Sequence, residues 1–187
     1  NEKLGKKIYI TGKGRCNLTN DCGTEEFIEN VVSNPKFLLG IVNAFPPQKT
    51  QEFFENCGLR LKTERGNRVY PLSDKASDVT KYLTKAMIER GVEIRLNEKA
   101  ESVLQRGGKV DAVVTDKGKI DCDSVIVCTG GISYPSTGST GDGYRFAESA
   151  GHKIVEPRPA LVGIETKENF LSLQGLSLKN IRLTALY

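Results

Sequence analysis

The clearest pattern in the chain is a helical repeat of apolar residues between positions 75 and 90. The apolar side chains recur at helical spacing and share one face: Val79, Tyr82, Leu83, Ala86 and Met87. Ser73 or Asp74 is suited to cap the start of this helix. Gly91 is suited to end it in a left-handed conformation.

Shorter helices are predicted on both sides of this one. The predicted segments are 24–32 with Thr24 as N-cap, Pro35 to Phe45, Thr50 to Asn56, and 143–150 closed by Gly151. Pro46 and Pro47 are expected to stop the second of these.

Alternating or continuous apolar runs predict strands between the helices. They are Ile8 to Ile10, 59–63 with 68–70, Val92 to Arg95, 99–105 with 110–115, Ser124 to Cys128, Leu161 to Thr166, and Leu178 to Tyr187. The run 124–128 is apolar on both faces, which is typical of a buried strand. Together the elements predict an α/β nucleotide-binding domain over 1–158 with a small β insertion. A second, β-rich domain is predicted to begin at 159–187, and a strand that reaches the last residue favours an internal piece of a longer protein.

Composition narrows the function classes. The chain has 187 residues, 38% of them hydrophobic and 27% charged, with a net charge of +4 that is spread along the sequence. We therefore expect a soluble protein without nucleic-acid or membrane partners. The five cysteines have irregular spacing, and no export signal is visible, so reduced thiols in a cytoplasm are the simplest expectation. A single histidine argues against a metal site.

The first candidate for chemistry is a donor-rich loop after Ile10. Gly12 and Gly14 allow backbone N–H groups to approach a ligand, and Lys13 and Arg15 add positive charge. Further hydrogen-bonding groups follow: Asn17, Thr19 and Asn20. Such a loop suits a phosphorylated, polyhydroxylated ligand, of which FAD is one. An ordinary connection made of turn residues is the alternative.

Two more constellations lie near the predicted strand 124–128. Thr129, Gly130 and Gly131 follow that strand, where α/β sheets bind ligands, although a plain strand-terminal turn explains them too. Asp142 lies in a hydroxyl-rich stretch before the last helix. It can hold a sugar-type hydroxyl, or it can simply cap the helix.

Cys16 has two interpretations. The cationic loop around it would favour a thiolate, and an ordinary, conformationally restrained thiol is the alternative. Five residues separate Cys16 from Cys22, which does not fit a redox pair.

These stretches together resemble one family. The strings that carry the likeness are Gly-Lys-Gly-Arg-Cys-Asn-Leu-Thr-Asn at 12–20 and Val-Ile-Val-Cys-Thr-Gly-Gly-Ile-Ser-Tyr-Pro-Ser-Thr-Gly-Ser-Thr-Gly-Asp-Gly-Tyr at 125–144. A third is Arg-Val-Tyr-Pro-Leu-Ser-Asp-Lys-Ala-Ser-Asp-Val at 68–79. They resemble the bacterial HI0933-like flavoproteins, also called BaiN-like or aminoacetone-oxidase-type FAD-binding proteins.

The resemblance implies part of a Rossmann-like FAD domain of the glutathione-reductase type, interrupted by an inserted β-rich domain. It implies that FAD is lined by Lys6, Gly12, Gly14, Arg15, Cys16, Asn17, Thr19, Asn20, Ala100, Thr129, Gly130 and Gly131. The family's Gly-x-Gly-x-x-Gly turn and its ribose-binding acidic residue are expected before Asn1. This chain alone is therefore expected to bind FAD weakly or not at all.

The sequence thus predicts a fragment of a FAD-dependent oxidoreductase that acts on a small organic substrate, with NAD(P)H as electron donor. A non-catalytic flavin- or nucleotide-binding module is one alternative. A nucleic-acid-binding protein that uses Lys6, Lys7, Lys13 and Arg15 is another. No side chain is assigned as acid or base, and the oligomeric state is left open.

Overall fold

A computed structural model of the chain describes residues 1–159, 165–178, 181–182 and 184. Its contacts divide the chain into two units, Asn1–Lys153 and Ile154–Tyr187. Within the described part of the second unit, the one regular element is a short 3₁₀ turn at Leu171–Leu173. The strands predicted at 161–166 and 178–187 fall largely outside the described residues.

The first unit contains six α-helices. They are α1 (Lys6–Ile10), α2 (Thr24–Glu29), α3 (Pro35–Ala44), α4 (Pro47–Asn56), α5 (Ala76–Glu89) and α6 (Asp142–Ser149). The predicted helices at α2, α3, α4, α5 and α6 are confirmed with shifted ends. In the parts of the chain that the model describes, no helix has the length and apolar character needed to cross a membrane.

The strands of this unit form two antiparallel sheets. They are β1 (Thr19–Asn20), β2 (Leu61–Glu64), β3 (Arg68–Pro71), β4 (Ala100–Arg106), β5 (Lys109–Thr115) and β6 (Gly118–Asp121). The first sheet has the order β1-β3-β2, with Thr19 and Thr63 both opposite Val69. The second is a meander, β4-β5-β6. Both predicted hairpins are confirmed, and β6 extends the second one.

The main core lies where α5 and α1 pack beside the first sheet. Leu59, Ala76, Val79 and Cys16 are buried together, and partly buried Ile8 and Tyr82 pack against them. This is the face that the helical repeat predicts. Removing such apolar surface from water supplies about 25 cal/mol per Å² and fixes the orientation of α5.

The predicted strand at Ile8 to Ile10 is wrong, because these residues belong to α1. Three apolar residues in a row fit either a helix or a strand, and tertiary contacts decide. Ile8 packs into the core on α5, and the Thr80 hydroxyl donates to the Tyr9 hydroxyl at 3.0 Å. Ile10 is left nearly half exposed.

The predicted strands at 92–95 and 124–128 are also wrong, since both segments are irregular. A strand must pair its backbone N–H and C=O groups with a neighbour. Neither described sheet includes these segments. Ile126 is 88% exposed, so the expected burial of the second segment is absent as well.

The predicted caps differ from those observed. Helix α5 begins after Lys75 without a side-chain cap, and Ser73 instead accepts from the Lys75 N–H and donates to Asp78. Thr24 is the first residue of α2, whose N-cap is Gly23. Asp74 has a left-handed backbone and its carboxylate points to other partners, described below.

Candidate functional site

The first unit contains a groove of about 650 Å³. Four stretches that are distant in sequence line it: the segment from Asn1 to Lys7, residues 98–100, residues 128–130, and residues 137–142. Phe146 of α6 completes the lining. The volume lies in the range of small-molecule and cofactor sites, which are mostly between about 300 and 1,000 Å³.

Five of the residues that the sequence predicts for a cofactor meet in this groove. They are Lys6, Ala100, Thr129, Gly130 and Asp142. Gly131 lies next to it, where its carbonyl accepts the Gly141 N–H at 3.2 Å. The assignment of these residues to FAD stays a prediction.

Thr129 and two nearby glycines, Gly130 and Gly143, are closely packed against other parts of the protein. The Thr129 hydroxyl is buried and has no hydrogen-bond partner among the described residues. A Cβ on Gly143 would lie 2.7 Å from that hydroxyl, and one on Gly130 would lie 2.9 Å from the Ser139 hydroxyl. An unpaired buried hydroxyl is uncommon, and here α6 packs directly against it through Gly143.

The charges in the groove favour an anionic ligand with hydroxyl groups. Three lysines (Lys6, Lys7 and Lys99) and two acidic residues (Glu98 and Asp142) line it. The Lys6 ammonium lies 3.4 Å from the Glu2 carboxylate, and the Glu98 carboxylate accepts from the Thr115 hydroxyl at 2.7 Å. Lys7 donates to the Ser133 carbonyl and thereby ties α1 to the hydroxyl-rich stretch. The groove can therefore pair phosphates with its ammonium groups and sugar hydroxyls with its carboxylates.

Asp142 is held as an ion at neutral pH. Its carboxylate accepts from the Thr140 hydroxyl at 2.7 Å and from the Arg145 guanidinium at 3.0 Å. These two bonds, the Thr140 bond first, lower the pKa of Asp142. The N-cap of α6 is Gly141, and Asp142 makes no capping bond. The alternative that Asp142 only caps the helix is therefore wrong.

The loop from Gly12 to Cys16 follows α1 and lies against the first sheet. Four of its residues have positive φ: Gly12 at 55°, Lys13 at 56°, Gly14 at 84° and Cys16 at 61°. The Cys16 N–H closes the loop on the Thr11 carbonyl at 3.1 Å. Lys13, Gly14 and Asn17 are exposed. We call this segment the Gly12–Cys16 loop.

Arg15 points toward protein carboxylates. Its Nη1 donates to both oxygens of Glu64, at 2.9 and 3.1 Å, and to Asp74 at 3.1 Å. Its guanidinium also lies 4.0 Å from the centre of the Tyr70 ring. The Glu64 bond is the main cause of the raised pKa of Arg15, and the same bond lowers the pKa of Glu64.

Cys16 is part of the core, where it is 7% exposed. Burial raises the pKa of its thiol. The interpretation as a reactive thiolate is therefore wrong, and Cys16 is a packed, protonated thiol.

Thr19 and Asn20 form β1, opposite β3. The Asn20 amide donates to the Gly66 carbonyl at 2.9 Å and fixes the β2–β3 turn. Asn20 also lines a second pocket of about 470 Å³, together with Cys22 and Phe27. Of the early constellation, only Lys6 lines the groove. Gly12, Gly14 and Asn17 lie outside its lining, and Arg15, Cys16, Thr19 and Asn20 make their described contacts with the first sheet and the core.

Several groove residues are not predicted from the sequence. They are Asn1, Gly5, Lys7, Glu98, Lys99, Cys128, Thr137, Gly138, Ser139, Thr140 and Phe146. The hydroxyl- and glycine-rich string at 133–140 carries a signal for four of them, Thr137 to Thr140. Glu98 and Lys99 carry none, because charged residues before a strand are common in any protein.

The sequence matches the family model described as HI0933-like protein Rossmann domain over residues 1–186. The chain belongs to the HI0933-like family. The family resemblance predicted from the sequence is therefore confirmed, and with it a Rossmann-like FAD-binding fold class in mixed α/β form.

Relatives of this HI0933-like chain include enzymes with two kinds of name. A protein of Clostridium scindens named 3-dehydro-bile acid delta(4,6)-reductase is 35% identical over 168 residues, which are 90% of this chain and 40% of that protein. A ribosomal RNA dihydrouridine synthase of Haemophilus influenzae is 27% identical over 99% of this chain and 47% of its own length. One of Escherichia coli is 25% identical over 86% of this chain and 39% of its own. The HI0933-like chain thus spans less than half the length of these relatives.

A solved structure shares the fold. It is the open conformation of a flavocytochrome c3 fumarate reductase, with a TM-score of 0.53 and 20% identity, covering 80% of this chain and 32% of that one. At this identity the likeness concerns the fold of the HI0933-like chain alone.

Proposed function

We propose that the chain is the FAD-binding part of a FAD-dependent oxidoreductase. The observation that carries this proposal is the groove in which Lys6, Ala100, Thr129 and Asp142 meet, in a chain of the HI0933-like family. Its lysines and carboxylate residues match the phosphates and sugar hydroxyls of a dinucleotide. A non-catalytic flavin-binding module shares this groove and differs in lacking turnover.

Different groove residues would contact different parts of FAD. Lys6, Lys7 and Lys99 supply positive charge for the pyrophosphate, and Asp142 accepts a hydroxyl of the ribose or ribitol. The backbone at Ala100 faces the adenine by analogy with the family. Bound FAD supplies the hydride chemistry, and the protein positions it and excludes competing reactions.

The reaction class we propose is reduction of a carbon–carbon double bond conjugated to a carbonyl. The names of the relatives support this choice, because a 3-dehydro-bile acid delta(4,6)-reductase and a dihydrouridine synthase both saturate such a bond. We propose a small organic substrate, NAD(P)H as electron donor and a cytoplasmic location. We also propose that residues 159–187 begin an inserted β-rich substrate domain.

RNA is the second candidate substrate. Two relatives named ribosomal RNA dihydrouridine synthase match 99% and 86% of this chain, although at lower identity than the bile acid reductase. The basic stretch from Lys3 to Lys7 also has the charge and aromatic character of an RNA contact, with Lys3 4.6 Å from the Tyr9 ring centre.

Purification of the full-length protein that contains this chain tests the proposal. We expect visible flavin absorbance that is bleached anaerobically by NADH or NADPH, and return of the colour on adding an unsaturated ketone. Bound flavin that neither nicotinamide reduces would favour the non-catalytic module. Return of the colour with a uridine-containing rRNA and not with the ketone would favour the RNA substrate.

Variants of the groove test the site itself. Lys6→Gln should weaken FAD binding by about tenfold, the loss expected for one charge-assisted hydrogen bond. Lys109→Gln, an exposed lysine of β5, is the matched control and should leave binding unchanged. Equal effects of the two substitutions would contradict the proposed groove. The 187-residue chain alone is expected to bind FAD weakly, and micromolar or tighter binding would contradict that expectation.

A further inference from the structure

Helix α3 has two apolar faces, one packed and one exposed. Its inner face packs against α2, where Val42 is buried and Leu38 is partly buried. Its outer face carries Phe37 and Ile41, whose side chains are 78% and 58% exposed. A helix on a protein surface is normally polar on the side that faces solvent. The outer face of α3 is therefore not an ordinary protein surface.

The outer face has the residue spacing of a helix-packing surface. Its apolar residues lie at i, i+3, i+4 and i+7, namely Phe37, Gly40, Ile41 and Ala44, and all four are exposed. Residues at this spacing share one side of a helix and serve as the contacts through which one helix packs on another. We call these four residues the outer stripe of α3. A contiguous exposed apolar surface, unlike scattered single side chains, marks an interaction site.

Nothing in the described chain requires a glycine at position 40. Gly40 has the ordinary negative φ of a helix, and an added Cβ would meet no atom within 4 Å beyond its own helix backbone. Glycine inside a helix is less favourable than alanine. Together with Ala44, one turn later, Gly40 lowers the surface of the stripe and allows the backbone of another helix to come close.

The outer stripe is complementary to a second copy of itself in an antiparallel arrangement. A two-fold axis between positions 40 and 41 places Phe37 over Ala44 of the second copy and Ile41 over its Gly40. Each large side chain then meets a small residue, and symmetry makes both contacts twice. The match follows from the order of residues, because reading the stripe backwards exchanges its large and small positions.

A cavity beside the start of α3 provides room for one more side chain of the second copy. It has a volume of about 680 Å³ and is lined by residues 34–37. The same two-fold axis brings Phe45 of the second copy to the level of Lys36. The Phe45 side chain is 52% exposed in the described chain. We expect its ring to enter this cavity.

The charge on α3 also fits an antiparallel pair. Lys36 lies in the first turn, where a cation opposes the helix dipole, whereas a cation is favourable at a C-terminal end. The last turn of α3 lacks donors, because Pro46 and Pro47 have no N–H to offer to the carbonyls of Val42 and Asn43. In the antiparallel pair, each Lys36 lies beside that end of the other helix.

We propose that the outer stripe of α3 is a homodimer interface, through which two copies of the protein pack with their α3 helices antiparallel. The stripe and Phe45 expose on the order of 400 Å² of apolar surface, since an aromatic side chain accounts for about 150–250 Å² when fully exposed. A standard interface buries about 800 Å² per partner. The contact through α3 is smaller, so we expect a reversible dimer that dissociates on dilution. This inference does not depend on FAD binding.

Sedimentation velocity of the full-length protein over a dilution series tests the proposal. We expect the mass to fall from that of a dimer to that of a monomer on dilution from about 100 µM. Ile41→Glu places like charges at the centre of the interface and should weaken dimerisation at least about a hundredfold. Ile88→Glu, at a 61% exposed isoleucine of α5, is the control and should leave the dimer unchanged. A monomer at every concentration, or a dimer that Ile41→Glu does not weaken, would overturn the proposal.

Gly40→Ala separates a dimer interface from other uses of the stripe. In dilute, monomeric protein, alanine should raise the urea midpoint, because it is the better helix former and meets no neighbouring atom. In the dimer its Cβ lies against Ile41 of the second copy and should weaken dimerisation about tenfold. A lowered midpoint with a monomeric mass would mean that the rest of the polypeptide covers the stripe. A raised midpoint with unchanged mass behaviour would mean that the stripe is free surface. Either result contradicts the dimer.

Lys36→Glu tests the antiparallel orientation. A glutamate in the first turn suits the dipole of its own helix and should raise the urea midpoint of the monomer slightly. In the dimer the same carboxylate faces the C-terminal end of the other helix and should weaken dimerisation about threefold to tenfold. Lys109→Glu, at an exposed lysine of β5, is the matched charge control and should not change dimerisation. Equal dimerisation of Lys36→Glu and wild type would rule out the antiparallel pair.

Discussion

Replacing Gly12 by alanine tests whether the Gly12–Cys16 loop is as closely packed as the structure has it. Gly12 has a φ of 55°, and an added Cβ would lie 2.8 Å from the backbone nitrogen of Asn17. The positive φ costs a residue with a side chain about 1–2 kcal/mol. The contact with a backbone atom, which cannot rotate away, adds about 1–3 kcal/mol, typical of overpacking. Alanine also lowers the conformational entropy of the unfolded chain, which offsets about 0.4–1 kcal/mol of this loss of stability.

Gly12→Ala should therefore lower the free energy of unfolding by about 2–4 kcal/mol. Gly14→Ala is the matched control, because Gly14 also has a positive φ while the nearest atom to its Cβ is the Tyr9 carbonyl oxygen at 3.8 Å. Gly14→Ala should lower the free energy of unfolding by only about 1 kcal/mol. The assay is urea unfolding of flavin-free protein, since a bound ligand would shift the midpoint. Equal losses for the two variants would refute the packing argument.

Three further outcomes are expected. Val69 of β3 is fully buried, and β3 lies between β1 and β2. Val69→Ala should therefore lower the free energy of unfolding by about 1–3 kcal/mol, measured by urea unfolding. Cys16 should resist alkylation at neutral pH because burial raises its thiol pKa, while exposed Cys128 reacts first, as measured by peptide mass spectrometry. The lowered pKa of Asp142 means that its contribution to stability is present above the unfolded pKa and is lost as pH falls through the lower folded pKa. Thr140→Val should raise the pKa of Asp142 toward its ordinary value in an NMR titration.

Each of these has an outcome that contradicts it. A loss for Val69→Ala no larger than that for Val32→Ala, at a fully exposed position, would mean that β3 is not central to the core. Alkylation of Cys16 as fast as that of Cys128 would mean that the loop opens readily. An unchanged carboxyl titration in Thr140→Val would show that the hydroxyl does not bond Asp142.

The sequence predicts the helices well, because their signals are local. The periodic apolar face of α5 and the proline at the first position of α3 place both elements to within a residue or two. Helix α4 begins three residues earlier than predicted, since Pro47 stops α3 and is equally suited to the first turn of the next helix.

The strands depend on partners that are not visible in a local pattern. The segment 124–128 has the composition of a buried strand, yet it finds no strand partner among the described residues. Ile8 to Ile10 shows the reverse case, where contact with α5 selects a helix. Propensity is a weak prior when a neighbouring element decides the outcome.

The candidate residues also fall into two groups, those that local sequence predicts and those whose partners only the fold reveals. The glycine and hydroxyl strings point to Thr129, Gly130 and Asp142 through local composition alone, because close backbone approach needs these residue types. Arg15 has its partners 49 and 59 positions away, and only the fold brings them together. From the sequence, a basic residue in a glycine loop predicts a bound anion. In the folded chain, the anionic partners of Arg15 are the carboxylates of Glu64 and Asp74.

The groove is assembled from the two ends and the middle of the Asn1–Lys153 unit. No local segment can form it, since its walls meet only after the chain has closed over most of this unit. A ligand in this groove would stabilise the finished fold and nothing shorter. Occupancy would then report that the Asn1–Lys153 unit has folded, and a copy truncated or misfolded within that unit would remain without ligand.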